Sequence, residues 1–109
     1  MVRLKNENEK LTAAVTGEID HHSAREIREA IDQNLERSLP KMLVLDFRDV
    51  TFMDSSGIGL IMGRYKLLKS MGGEIVIQNA NERIQRVMKL AGVDKLAEIE
   101  DDEEEEGQQ

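Results

Sequence analysis

The sequence predicts a small α/β domain whose elements run β-β-α-β-α-β-α-β. Three observations carry this. The chain opens on two stretches in which apolar and polar residues alternate, the period of half-buried strands. Three later segments repeat apolar residues at spacings of three and four, the period of helices lying on a core. Two short, continuously apolar runs lie among them. With 109 residues and 39% hydrophobic content, there is material for one compact domain and too little for two.

Residues 2–5 (VRLK) alternate, and so does much of 11–15; the polar stretch 6–10 between them reads as the turn of a hairpin. Gly17 is expected to end the second strand. Ser23 and Glu26 stand in the S-x-x-E relation of a capping box at a helix start. Ala24, Ile27, Ile31 and Leu35 then form one apolar stripe, and Pro40 closes the segment.

Residues 42–45 (MLVL) read as a strand covered on both faces, followed by a polar turn at 46–50. After TFMDSSGIG, the residues Ile58, Ile61, Tyr65 and Leu68 mark a second helix, ended at Gly72 and Gly73. Leu60, Met62, Leu67 and Met71 are left over from that stripe, which predicts an apolar docking patch on this helix. Gly59 and Gly63, four apart, predict a close contact that offsets their cost of up to about 1 kcal/mol each in a helix. Residues 74–77 (EIVI) form another buried-type strand. Asn79 and Glu82 repeat the capping relation ahead of a third stripe at Ile84, Val87, Met88 and Ala91. Gly92 sits where a left-handed helix end belongs, and residues 96–99 read as a last short strand. Strands separated by helices pair in parallel through right-handed crossovers, while the hairpin supplies one antiparallel pair.

The net charge is −7, from 15 Lys and Arg against 22 Asp and Glu, but it is unevenly spread. Eight of the nine residues 98–106 are acidic; without them fourteen acids face fifteen bases over residues 1–97. The expected division is therefore a folded body over 1–99 and an acidic, disordered tail over 100–109. No basic stripe marks a nucleic-acid surface, and no apolar run approaches the roughly 20 residues that span a bilayer. The first ten residues lack the apolar region of a signal peptide. Absence of cysteine excludes disulfides, thiolate metal sites and thiol nucleophiles, and fits a cytoplasmic setting.

Ser55, Ser56, His21, His22, Asp20 and Asp54 supply the residue types of a Ser-His-Asp triad, but Met53 stands where G-x-S-x-G requires its first glycine. Gly57, Gly59 and Gly63 match neither GxxxxGK[ST] nor GxGxxG. No third ligand at helical or strand spacing joins the two histidines, so no metal site is assigned. No catalytic residue and no cofactor are expected. Two hydroxyls follow Asp54 at the start of the second helix, and one of them is expected to serve as its N-cap. The other is free, at a helix end whose N–H groups and dipole favour a phosphoryl group.

The stretch VTFMDSSGIGLIMGRYKLLKSMGG, with GEIDHHSA upstream, resembles the anti-sigma factor antagonists of the STAS domain family, over nearly the whole folded body. That resemblance implies a small mixed sheet with helices packed on one side. It implies that the first serine of Asp-Ser-Ser-Gly, Ser55, accepts a phosphoryl group. Asp54, Ser56 and Gly57 would form the surrounding partner surface, together with Asp20 of the G-x-I-D-H-H element. The implied partners are an anti-sigma factor that is also a serine kinase using ATP, and a serine phosphatase that reverses the modification; the process implied is sporulation. The family usually continues into a C-terminal helix, where this chain begins its acidic run. Two alternatives stay open from the sequence: a STAS module of another signalling or transport assembly, and a small serine hydrolase using Ser55 with His21 or His22.

Overall fold

The computed structural model describes residues 1–100. The expectation for residues 101–109 lies outside the described residues.

The hairpin is β1 (Val2–Glu7) and β2 (Lys10–Ile19), paired antiparallel with Val2 opposite Val15 and Glu7 opposite Lys10. Its turn is shorter than the polar stretch suggested. Only Asn8 and Glu9 lie outside the strands, both at positive φ (52° and 63°), the geometry whose twist matches a two-residue hairpin. Then follow α1 (His21–Ser38), β3 (Met42–Met53), α2 (Ser55–Ser70), β4 (Glu74–Gln78), α3 (Glu82–Leu90), a 3₁₀ turn (Val93–Lys95) and β5 (Glu98–Glu100). Glu100 thus belongs to the folded body, one residue past the expected boundary; its carboxylate accepts a 2.8 Å hydrogen bond from Gln78 Nε2.

The strand order is β1-β2-β3-β4-β5, with β2 to β5 all parallel. Each crossover moves one strand further in the same direction. Right-handed connections then place α1, α2 and α3 on one face of the sheet. A single core forms there, where Leu11, Ala13, Leu43, Leu45, Phe47, Ile75 and Ile77 meet Ile27, Ile31, Leu35, Ile61, Leu68, Ile84 and Met88. The mixed sheet with one-sided helices is the expected architecture. The expectation that residues 42–45 are covered on both faces does not hold in its literal form. Val44 and Val76 are buried, but they are register neighbours outside that core, on the face that no described helix covers.

β3 also runs on through the residues expected to be a turn. Its register against β2 slips twice, between Ala14 and Thr16 and between Gly17 and Glu18, so β3 carries one extra residue at each place. Phe47, Val50 and Met53 therefore all reach the core at spacings of three instead of two. Gly17 does not end β2. It lies within the strand at the second slip with φ +89°, where a side chain would be strained.

The buried face of α2 is Gly57, Leu60, Ile61, Arg64 and Leu68, rotated from the predicted stripe; Ile58 and Tyr65 are only half-buried. Of the four leftover residues Leu60 is buried, Met62 and Met71 half-buried, and Leu67 exposed. Arg64 causes the rotation. Its Nε lies 2.9 Å from Asp32 Oδ1 of α1, an ion pair between the two helices that is not aligned as a hydrogen bond, and its Nη1 reaches the Leu60 carbonyl at 3.4 Å. Burial pushes the Asp32 carboxyl up despite Arg64, and pushes the Arg64 guanidinium down despite Asp32. The contact expected at Gly59 and Gly63 is absent within the described chain, since open space lies beside both. In α3, Ile84 and Met88 are buried while Val87 is half-buried and Ala91 exposed. Its cap is Asn81, whose Oδ1 accepts from Ile84 N at 2.9 Å; Asn79 instead donates to Asp46 across the sheet. Gly92, at φ +83°, occupies the left-handed position as expected.

Candidate functional site: two aspartate-capped helix starts

Parallel pairing carries β2 and β3 to the same sheet edge, where Ile19 stands opposite Met53. The next residue in each strand's chain, Asp20 or Asp54, caps a helix. Asp20 Oδ1 accepts from His22 N at 3.0 Å and Ser23 N at 2.9 Å. Ser23 Oγ accepts from Asp20 N at 3.0 Å and donates to the Glu18 carbonyl at 2.7 Å. The capping box is thus Asp20 with Ser23, not Ser23 with Glu26 as the sequence spacing suggested. An Asp three residues ahead of Ser23 was the available signal, because Asp is as good a cap as Ser.

The second cap also falls one residue earlier than expected. Asp54 Oδ1 accepts from Ser56 N at 2.8 Å, so neither serine is the N-cap of α2. The Asp54 carbonyl takes Gly57 N at 3.0 Å, and Asp54 N donates to the Ile19 carbonyl at 3.2 Å. That last bond ties the two caps together. Hydrogen bonds from the Ser23 and His22 backbone hold the Asp20 carboxyl below the usual aspartate range, most strongly that from Ser23 and against a smaller opposing effect of burial.

Ser55 is the first residue of α2 and is exposed. Its hydroxyl makes no hydrogen bond among the described residues. Ser56 is half-buried beside it. Gly57 is buried, and a Cβ there would collide with the Met53 side chain and press on Ile19. Its bareness therefore lets the end of β3 fold tightly onto α2 and gives the turn its shape.

His21 and His22 are exposed; the His22 imidazole lies 3.8 Å from Glu26, and neither imidazole bonds Ser55 or Ser56 among the described residues. A triad is therefore not assembled. Among the described residues no group of three or more His, Asp or Glu side chains is placed to hold a metal ion. No described helix is long and apolar enough to cross a membrane. Chemically the site is an exposed, unengaged hydroxyl on a rigid corner, flanked by two carboxylates that are fixed by their own helix caps.

The chain belongs to the STAS domain family, whose model matches residues 2–106. It is 33% identical over 102 residues to an anti-sigma F factor antagonist of Paenibacillus polymyxa, covering 94% of this chain and 87% of that protein. Among solved structures it is similar to the anti-sigma factor antagonist SpoIIAA in its unphosphorylated form, with a TM-score of 0.83 and 27% identity over 98% of this chain and 92% of that one. The Bacillus cell fate determinant SpoIIAA in its phosphorylated form matches with a TM-score of 0.76 and 28% identity, over 98% and 96% of the two chains.

Proposed function

We propose that this chain is an anti-sigma factor antagonist of the cytosol, controlled by phosphorylation of Ser55. Unphosphorylated, it binds an anti-sigma factor that is also a serine kinase, and so frees the sigma factor. The kinase transfers the γ-phosphoryl group of ATP to Ser55 Oγ, with loss of the hydroxyl proton and release of ADP, and binding ends. A serine phosphatase hydrolyses the ester and restores the hydroxyl.

The observation that carries this reading is the state of Ser55: exposed, first in α2, its hydroxyl unengaged, on a corner held by Asp54 and Ile19. Asp20, Asp54 and Ser56 form the surface around it, and Gly57 sets the turn beneath. Two of the N–H groups at the anion-attracting start of α2 are already taken, because Asp54 holds those of Ser56 and Gly57 with its carboxylate and carbonyl. A phosphoryl group on Ser55 is not drawn in there. It projects outward, adding a charge of about −1.5 to −2 that a docked partner would have to desolvate. The fold tolerates the modification and the interface does not.

The test compares Ser55→Asp and Ser55→Ala with the wild type for displacement of a sigma factor from its anti-sigma factor. Ser55→Ala should displace and resist ATP; Ser55→Asp should fail, both at near wild-type stability. Equal displacement by all three proteins in the presence of ATP would contradict the switch.

A further inference from the structure

We infer that Phe52 is the apolar anchor through which this surface holds the anti-sigma factor, an inference that rests on the function proposed above. Exposed apolar residues are common on any protein, and Leu39, Leu67, Leu90 and Leu96 are also exposed here. Phe52 differs in how it comes to be exposed. Strand alternation from the buried Val50 would turn Phe52 inward and Met53 outward. The second slip of β3 against β2 inserts Thr51, and the order reverses: Met53 is buried at 6% exposure while Phe52 is 49% exposed. The local geometry thus presents a rigid aromatic ring to solvent and buries the flexible thioether. Bulges commonly re-aim a side chain in this way beside functional sites.

Its position is the second argument. Phe52 pairs with Glu18 across the ladder, two residues before Asp54. The Glu18 carbonyl is held by Ser23 of the Asp20 cap, and Asp54 is held by Ile19. Phe52 therefore sits next to the fixed corner that carries Ser55, with Glu18 opposite it in the ladder and Asp54 two residues further on. The chemistry that fits is a protein surface with an apolar pocket for the ring and cationic groups at the lip. Anchors of this kind carry a large share of binding energy only when the surfaces close fully. A phosphoryl group on Ser55 would stand between the surfaces and keep the ring from seating.

The experiment is calorimetric titration of the purified chain with the anti-sigma factor of its own organism, using wild type, Phe52→Ala, Phe52→Leu and, as a control, Leu90→Ala. Leu90 is 84% exposed in the last turn of α3, at the other end of the helices. Phe52→Ala should weaken binding by at least about tenfold and Phe52→Leu by less, with Leu90→Ala unchanged. Melting temperatures should agree within about 2 °C, since such exposed positions contribute little to stability. Wild-type affinity in Phe52→Ala, or a loss equal to that of Leu90→Ala, overturns the anchor and leaves the function standing. Failure of the wild type itself to bind overturns the function, and the anchor with it.

Discussion

The backbone N–H of Asp54 bonds the carbonyl of Ile19 at 3.2 Å, and this bond sets two aspartate-capped helices side by side at one end of the sheet. Each carboxylate serves its own helix and also faces the surface on which Ser55 stands. Under the proposed function, stability and recognition are combined in the same two residues, and conservative substitutions can separate them.

Asp20 should show the separation most clearly. Its capping box with Ser23 implies that Asp20→Ala loosens the start of α1 and lowers the melting temperature by roughly 4–8 °C, in contrast to a role in recognition alone. Asp20→Asn keeps an acceptor in place and should melt near the wild type. If recognition uses the charge, Asp20→Asn still weakens anti-sigma factor binding. Thermal melts beside binding titrations of the two variants decide between these roles.

For α2 the cap is Asp54, which reverses the expectation for its neighbour. Asp54→Ala should cost about 0.5–2 kcal/mol, whereas Ser56→Ala, which removes a hydroxyl that caps nothing, should stay within about 0.5 kcal/mol of wild type. Urea unfolding of both variants measures the difference directly.

The Asp32–Arg64 pair should behave as a buried charge pair whose removal in halves is worse than its removal whole. Breaking a fully buried pair costs about 3–5 kcal/mol; Asp32 keeps 30% side-chain exposure, so Asp32→Ala or Arg64→Ala should fall at or below the lower end. Asp32→Leu combined with Arg64→Met should recover most of that loss. A double-mutant cycle in urea reads it, and simple additivity of the single losses would contradict the account.

Acid should act on the Asp20 cap and on the Asp32–Arg64 pair with opposite sign. The Asp20 carboxyl titrates below its unfolded value of about 3.9, so the unfolded chain binds the extra proton in that window. Its contribution is complete above about pH 4 and is lost as pH falls through the folded value. Asp32 titrates above its unfolded value because of burial, so its contribution declines as pH rises from about 4 toward the folded value. Unfolding titrations from pH 3 to 7 should show Asp20→Asn losing part of the wild-type acid sensitivity, and Asp32→Asn losing part of the opposing slope.

Legibility in the sequence followed the regularity of each element. Ala24, Ile27, Ile31 and Leu35 repeat at helical spacing without interruption, and all four are buried as that spacing implies. β3 hid its second half because the two slips give Phe47, Val50 and Met53 a spacing of three, which belongs to no regular strand. α2 was misphased because Arg64 occupies a core-facing position through its pairing with Asp32, and charge is invisible to an apolar count. The caps were each displaced onto a serine or asparagine neighbour, since several residues near each helix start have capping chemistry and only the backbone path selects one. At the site, the residue types were readable from the DSSG and GEIDHH segments, and Ser55 was singled out by the family resemblance alone, since either serine could have been read as the cap that Asp54 provides. Parallel strands already imply that those two segments meet at one sheet edge, but the bond that joins them depends on exact register and the exposure of Phe52 on a bulge, so these two details were not readable.

The central claim rests on one hydroxyl. Incubation of the chain with the anti-sigma factor kinase of its own organism and ATP, followed by mass spectrometric localisation, tests it most directly. The account predicts a single phosphoryl group on Ser55 of the wild type and none on Ser55→Ala. A phosphoryl group on Ser56, or stoichiometric modification of Ser55→Ala, would contradict it.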